Sequence, residues 1–212
     1  PMLVEGQVHG GLAQGIAHQG VAAQAAAHRY AELDELLEAA EAKGEPPLLL
    51  LLDEIEDPHN LGSILRTAEC AGAHGVVIPK RRSAGLTAAV YKASAGAAEF
   101  VPVARVTNLA QTIDRLKERG LWIAGADAGA RDDVYHADLT LPLAIVIGSE
   151  GRGIGRLIRE KCDFLVRLPM YGSINSLNAS VAAGVLLYEA VRQRAAAREA
   201  AGSGAPSPEP GG

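Results

Sequence analysis

Residues 48–52 are an unbroken apolar run, LLLLL. A run with no polar alternation is the pattern of a strand covered on both faces. Comparable runs recur at Gly75–Pro79, Phe100–Val106, Leu121–Ala126, Leu143–Ile147 and Phe164–Leu168, and each predicts a strand. Between them the period changes to that of helices. Leu33, Leu36 and Leu37, set against Glu38 and Glu41, predict a short amphipathic helix closed by the Lys43–Pro47 linker. Further helices are predicted from about Leu61 to Ala71, stopped by Gly72, and from Leu86 to Ala95. Another follows Asn108 as its cap, carries Leu109, Ile113 and Leu116 on one face and ends at Gly120. A short one lies near Leu157–Lys161. A long one runs from Leu177 to about Arg198, with Leu177, Val181, Val185, Tyr188 and Val191 as its apolar stripe. Gly202–Gly212 is Gly, Pro and Ser without an apolar anchor and is predicted to be disordered. Strands that alternate with helices place the chain in the α/β class, a mostly parallel sheet with helices on both faces.

Composition narrows the partners. Aromatics are 4% of 212 residues, so base stacking on exposed rings is not the main expected binding mode. The two cysteines, Cys70 and Cys162, have no metal-like spacing and fit reduced thiols in a cytoplasmic protein with no metal. No apolar run is long enough for a bilayer, so no membrane is expected. The net charge of −5 lies wholly in residues 1–45, where seven acids (Glu5, Glu32, Asp34, Glu35, Glu38, Glu41, Glu45) meet Arg29 and Lys43. Residues 46–212 balance 18 basic against 18 acidic side chains, so a global basic field is excluded. Three local basic clusters remain: Lys80–Arg82; Arg152, Arg156, Arg159 and Lys161; and Arg192, Arg194 and Arg198.

Three apolar strands end in loops rich in Gly, Asn, Ser and charge: DPHNLGSILRTAECAG (57–72), IVIGSEGRGI (145–154) and LPMYGSINSLNASVAAGVLLYE (168–189). In open α/β sheets ligands bind at the carboxyl ends of strands. No GxGxxG follows the first strand, no Walker A loop is present, and Ser149 follows Gly148 too closely for a nucleophile elbow. A hydrolase triad would have to use His59 or His136, and neither has a suitable setting. The candidates left are Asn60, Arg66, Glu150, Ser176 and Asn178. Each has a plain structural alternative: helix caps for Asn60, Ser176 and Asn178, a loop cap for Glu150, and a surface cation for Arg66. Arg66, set in Ile64-Leu65-Arg66-Thr67-Ala68, is expected to be partly buried beside an anionic partner.

Asp57-Pro58-His59-Asn60-Leu61-Gly62 with Arg66-Thr67-Ala68, then Ile147-Gly148-Ser149-Glu150-Gly151, then Leu168-Pro169-Met170 through Ser173 to Ser176-Leu177-Asn178-Ala179-Ser180, resemble in order and spacing the three motifs of the SpoU-type (TrmH-like) RNA 2′-O-ribose methyltransferases. The nearest branch by resemblance methylates a guanosine of bacterial 23S rRNA. The likeness covers roughly Leu48 to Arg194. His18-Gln19-Gly20-Val21 resembles the segment where the family's small RNA-binding domain meets the catalytic one. Residues 1–46 are therefore expected to be a remnant of that domain plus a linker helix, 47–200 the methyltransferase domain, and 201–212 a tail.

The resemblance implies a deep C-terminal trefoil knot, which topology rules alone would not propose. It implies S-adenosylmethionine as cofactor, RNA as substrate, and a homodimer whose active site is completed across the interface. It assigns cofactor positions to Gly148, Leu168 and Leu177, with Ile147 and Met170 adding apolar contact. Catalytic positions fall at Arg66, Asn60, Glu150, Ser176 and Asn178. The family makes the arginine the activator of the 2′-hydroxyl. A guanidinium stays protonated to about pH 12 or beyond, so phosphate binding with polarisation of the hydroxyl stands beside a true base role. A tRNA or antibiotic-resistance 2′-O-methyltransferase of the same fold, and a non-catalytic knotted RNA-binding module, are the alternatives.

Overall fold

The computed structural model describes residues 29–203; the expectations for residues 1–28 and 204–212 lie outside it. Helix α1 (Leu33–Lys43) leads into β1 (Leu48–Asp53), α2 (Pro58–Cys70), β2 (Gly75–Pro79), α3 (Ala88–Ala93), β3 (Val103–Val106), α4 (Leu109–Glu118), β4 (Trp122–Ala126), β5 (Asp132–Asp133), β6 (Leu143–Gly148), α5 (Arg156–Lys161), β7 (Phe164–Arg167) and α6 (Ala179–Ser203). The seven strands form one sheet in the order β3-β2-β1-β6-β4-β7-β5. Every pairing within it is parallel.

The pleat of β1 divides the core. Leu48, Leu50 and Leu52 face one layer with Leu61, Ile64 and Leu65 of α2 and Ala183, Leu186 and Leu187 of α6. Leu49 and Leu51 face the other, with Leu36 and Leu37 of α1, Ile113 and Leu116 of α4 and Ile158 of α5. All five leucines are fully or almost fully buried, as the continuous run requires. β1 pairs with β6 from Leu48↔Leu143 to Asp53↔Gly148. After β1 the chain crosses through α2 toward β2. After β6 it crosses through α5 toward β7, on the other side and the other face. The carboxyl ends of β1 and β6 therefore flank a topological switch point, where a doubly wound sheet opens a crevice.

Several boundaries differ from the expected ones for identifiable reasons. The strand predicted over 100–106 begins only at Val103. Gly96, with φ of 87°, starts a 3-10 turn over Ala97–Glu99 that Phe100 closes, and Pro102 has no N–H to give a ladder. The second helix starts at Pro58 because the Asp57 side chain accepts from the N–H groups of His59 and Asn60, both at 3.2 Å. Asn60 is thereby excluded as its cap. The helix predicted over 86–95 is confined to Ala88–Ala93, capped by Thr87.

The last helix begins at Ala179, not Leu177, since Asn178 Oδ1 accepts from Ser180 N (3.0 Å) and Val181 N (3.3 Å). It continues to Ser203, beyond the expected Arg198 and into the segment expected to be disordered. Its core face is also not the predicted stripe. Ala183, Leu186, Leu187 and Ala190 are buried, while Val181, Val185 and Tyr188 are exposed. This face packs on α2, and a Cβ on Gly184 would make an ordinary contact with Thr67 at 3.5 Å. Arg194, expected in a basic surface cluster, is buried and donates to the carbonyls of Pro46, Pro47, Leu139 and Leu141. It ties α6 to the amino ends of β1 and β6.

Candidate functional site

At the carboxyl end of β6 the chain turns sharply. Gly148 leads into a 149–153 loop that closes on itself through a Ser149–Gly153 bridge, with Gly153 N donating to Ser149 O at 2.9 Å. Gly151 (φ 105°) and Gly153 (φ 66°) take left-handed conformations that make this possible. A Cβ on Gly148 would fall inside the backbone of Gly153 and Ile154, so only glycine fits. The loop is also tied to β1: the buried Asp53 carboxylate accepts from Gly155 N at 2.7 Å. Burial holds this carboxyl above its ordinary pKa, a rise that the Gly155 bond partly offsets.

A cleft of about 470 Å³ opens beside this loop. Ile147 and Gly148 of β6, Leu168 and Met170 after β7, and Ser176 and Leu177 before α6 line it. All five residues expected at a cofactor site are therefore in one cavity, Ile147 with almost no exposed surface and Leu177 well exposed. Ala126 at the end of β4, Asp127 and Ala128 just beyond it, Arg152 and Asn175 add to the wall. Of these, only Arg152 was singled out from the sequence, as part of a basic cluster. Asp127 ends a strand without a distinctive motif, and only the sheet order brings it here. Its carboxylate is engaged by Arg159 Nε at 2.9 Å and accepts from Gly129 N at 2.7 Å.

Three of the five expected catalytic residues meet at the cleft's edge. Asn60 Nδ2 donates to Glu150 Oε1 at 2.9 Å. Asn178 Nδ2 donates to Asn60 Oδ1 at 2.9 Å and also to Glu150 Oε1. Ala179 N reaches the same carboxylate oxygen at 3.4 Å. One carboxylate thus joins the starts of α2 and α6 to the β6 loop, across 90 and 28 residues of chain. Asn178 both caps its helix and enters this net, so its two readings are not exclusive. Ser176 lines the cleft and makes no hydrogen bond among the described residues. Arg66 departs from expectation: it is exposed, and no described residue offers it an ion pair or hydrogen bond. Its neighbours Ile64, Leu65 and Ala68 turn into the core, which leaves Arg66 on the outer face of α2. No group of three His, Cys, Asp or Glu among the described residues is placed to hold a metal.

The model of the SpoU rRNA Methylase family matches residues 47–188. The chain belongs to that family. This SpoU-family chain is 65% identical over 177 residues to YacO of Bacillus subtilis (strain 168), named as a TrmH-family tRNA/rRNA methyltransferase, covering 84% of this chain and 71% of that one. Its fold is similar to the SpoU methyltransferase AviRb of Streptomyces viridochromogenes, with a TM-score of 0.68 and 35% identity over 72% of this chain. It spans 62% of AviRb's length, and AviRb has also been crystallised with AdoMet. A TrmH/SpoU tRNA modifying enzyme of A. aeolicus superposes with a TM-score of 0.66 at 29% identity, covering 78% of this chain and 85% of that one.

Proposed function

We propose that this chain is an S-adenosylmethionine-dependent RNA methyltransferase that methylates a ribose 2′-hydroxyl, with a guanosine of 23S rRNA as its target, in the cytoplasm. The observation that carries this reading is the meeting of the Gly148 cleft with the Asn60–Glu150–Asn178 net at the switch point. The cleft has the size of a small-molecule site, a backbone floor at Gly148 and aliphatic walls at Ile147, Leu168 and Leu177. That lining suits an adenosine-bearing donor, whose base edge pairs with backbone groups. When bound there, S-adenosylmethionine supplies an electrophilic methyl carried on a sulfonium.

The chain's own residues then have separable tasks. Gly148, Leu168 and Leu177 hold the donor, with Ile147 and Met170 closing around it. Glu150 fixes the amides of Asn60 and Asn178, so that the starts of α2 and α6 keep one geometry. Ser176, unengaged at the cleft wall, is free to bond the donor or the acceptor ribose. Arg66 binds the phosphate next to the modified nucleotide and polarises its hydroxyl. A protonated guanidinium does this at neutral pH without giving up a proton.

The assembly is part of the proposal. Val181, Val185 and Tyr188 expose an apolar strip along α6, and Tyr171 and Ile174 lie in the preceding loop with 96% and 75% exposure. Such a strip fits an isologous dimer contact, with the second copy approaching the unengaged Arg66. A trefoil knot belongs to the same reading. Residues 168–178 leave β7 without regular structure and bring Asn178 back to the 149–153 loop. Tyr188→Glu is expected to convert a dimer to a monomer in light scattering; an unchanged mass would remove α6 from the interface.

The activity is tested by incubating the chain with labelled S-adenosylmethionine and either 23S rRNA or tRNA, then mapping the label. Ribose methylation of a 23S guanosine is expected. Label on a base would reject the 2′-O assignment, and label confined to tRNA would reject the rRNA one.

A further inference from the structure

Two of the three basic clusters are neutralised by the fold. Arg156 pairs with Glu160, Arg159 with Asp127 and Lys161 with Asp114. Arg192 pairs with Glu189 and Arg198 with Glu45, while Arg194 is consumed by carbonyls. The cluster after β2 is different. Lys80 and Arg81 are exposed, and neither side chain has an ion pair or hydrogen bond among the described residues. Arg105 on β3 joins them. Its guanidinium donates to Lys80 O at 3.2 Å, lies 5.3 Å above the Tyr30 ring, and has no carboxylate partner among the described residues. Lys80, Arg105 and Arg115 line a second hollow of about 300 Å³, with Glu32 as the acid in its wall and Arg115 held by Asp34 at 3.7 Å.

This cluster is continuous with the main cleft. Arg152, on the cleft wall, and Arg82 share one carboxylate, Glu54, at 3.5 and 2.7 Å. Glu54 directly follows the β1 residue that pairs with Gly148. Glu54 and Arg82 both have left-handed backbone, φ 58° and 54°. Arg152 follows β6, Arg82 is tied to Glu54 after β1, Lys80 and Arg81 follow β2, and Arg105 lies near the carboxyl end of β3. Three strand spacings cover about 14 Å.

We propose that this stripe is a track for the sugar–phosphate backbone of the RNA strand that flanks the modified nucleotide, running from the cleft across the β2–β3 edge. The inference rests on the methyltransferase reading above and adds the path of the substrate. The 46–212 segment balances 18 basic and 18 acidic residues, so attraction to RNA must be local, and this is where unneutralised cations are concentrated along one edge. Arg and Lys without carboxylates contact phosphate at no cost of a broken pair.

The test titrates a fluorescein-labelled 20-nucleotide single-stranded RNA of mixed sequence into the full 212-residue chain and its Lys80→Gln/Arg81→Gln variant, from 50 to 200 mM salt. The two replaced side chains have no ion pair or hydrogen bond among the described residues, so the fold is expected to be kept. Each lost phosphate contact lowers the slope of log K against log salt by about 0.7 for single strands. The double variant is therefore expected to lose on the order of 1.4 slope units and tenfold in affinity at 100 mM salt. Arg105→Lys, which keeps the charge, is expected to keep the slope. Calorimetry with S-adenosylmethionine runs in parallel and is expected to give the same affinity for wild type and variant. Unchanged RNA affinity and slope in the double variant would overturn the track while leaving the cofactor reading intact. No S-adenosylmethionine binding by wild type would overturn that reading separately. Poly-L-glutamate competing as well as RNA would assign the stripe to acidic protein and overturn the track.

Discussion

Asn60 and Arg66 lie on the same helix, six residues apart, in opposite circumstances. The Asn60 side chain donates to Glu150 and accepts from Asn178, and its backbone N–H is held by Asp57. Arg66 projects from the outer face of α2 with no described partner. The contrast divides the proposed site into two halves. The half facing the Gly148 cleft is built before anything binds, so its polar groups need no reorganisation at the moment of reaction. The half around Arg66 carries an exposed cation, which in the proposed reading is ordered by RNA phosphate or a second copy of the chain. Substitutions in the first half should strike donor binding and geometry. Substitutions in the second should strike acceptor use alone.

The sharpest expected effect in the built half is at Gly148. Gly148→Ala forces a methyl into the backbone of Gly153 and Ile154 and reshapes the cleft floor. Its S-adenosylmethionine affinity by calorimetry should fall by about two orders of magnitude or more, while circular dichroism retains the α/β signature. Undiminished affinity would move the donor out of this cleft. Next is Glu150→Ala, which leaves Asn60 and Asn178 without their common acceptor. A loss on the order of tenfold to a hundredfold in methyl-transfer rate is expected, in line with about 1.5–3 kcal/mol for hydrogen bonds to a charged group. Glu150→Gln keeps one oxygen and should recover part of it. Equal rates for wild type and Glu150→Ala would mean that the net is not needed for geometry.

The smallest effect concerns Asp53. Its folded pKa is raised, chiefly by burial, so the native state holds its proton more tightly than the unfolded chain. Stability contributed by the protonated form is full below the unfolded value of 3.8 and declines as pH rises through the raised folded value. Asp53→Asn keeps an acceptor for Gly155 N and removes the buried charge. Its melting temperature should match or exceed wild type at pH 8 by a few degrees. The gap should widen in the variant's favour as pH rises from 4, and then level off. A variant that melts well below wild type at pH 8 would show that the charge itself holds the loop.

Much of this division was legible in the sequence, and the rest was hidden for physical reasons. The LLLLL run specified a strand buried on both faces, and its alternate leucines do serve two helix layers. The three polar loops were recognisable as strand ends, and the family resemblance grouped Ile147, Gly148, Leu168, Met170 and Leu177, which line one cavity. Caps were harder to assign. Asp57 outcompeted Asn60 for the start of α2, and Asn178 displaced Leu177 from the start of α6. On α6 the apolar stripe read from the sequence is exposed at Val181, Val185 and Tyr188, while the buried face of Ala183, Leu186, Leu187 and Ala190 was not picked out. Arg66 misled through its apolar sequence neighbours, which in a helix turn away from it. Asp53 and Asp127 carry no local pattern; only the strand order β1-β6-β4 brings them to one rim with the 149–153 loop.

The central claim is that donor and acceptor functions are separated between the Gly148 cleft and Arg66, and it is tested most directly by Arg66→Ala. The measurement pairs calorimetric S-adenosylmethionine affinity with single-turnover methyl transfer at saturating donor. The account predicts affinity within about twofold of wild type and a transfer rate reduced by about a hundredfold or more, the pattern of a group that acts mainly in the transition state. Weakened donor binding with an unchanged rate in the bound complex would contradict it and return Arg66 to the cofactor side.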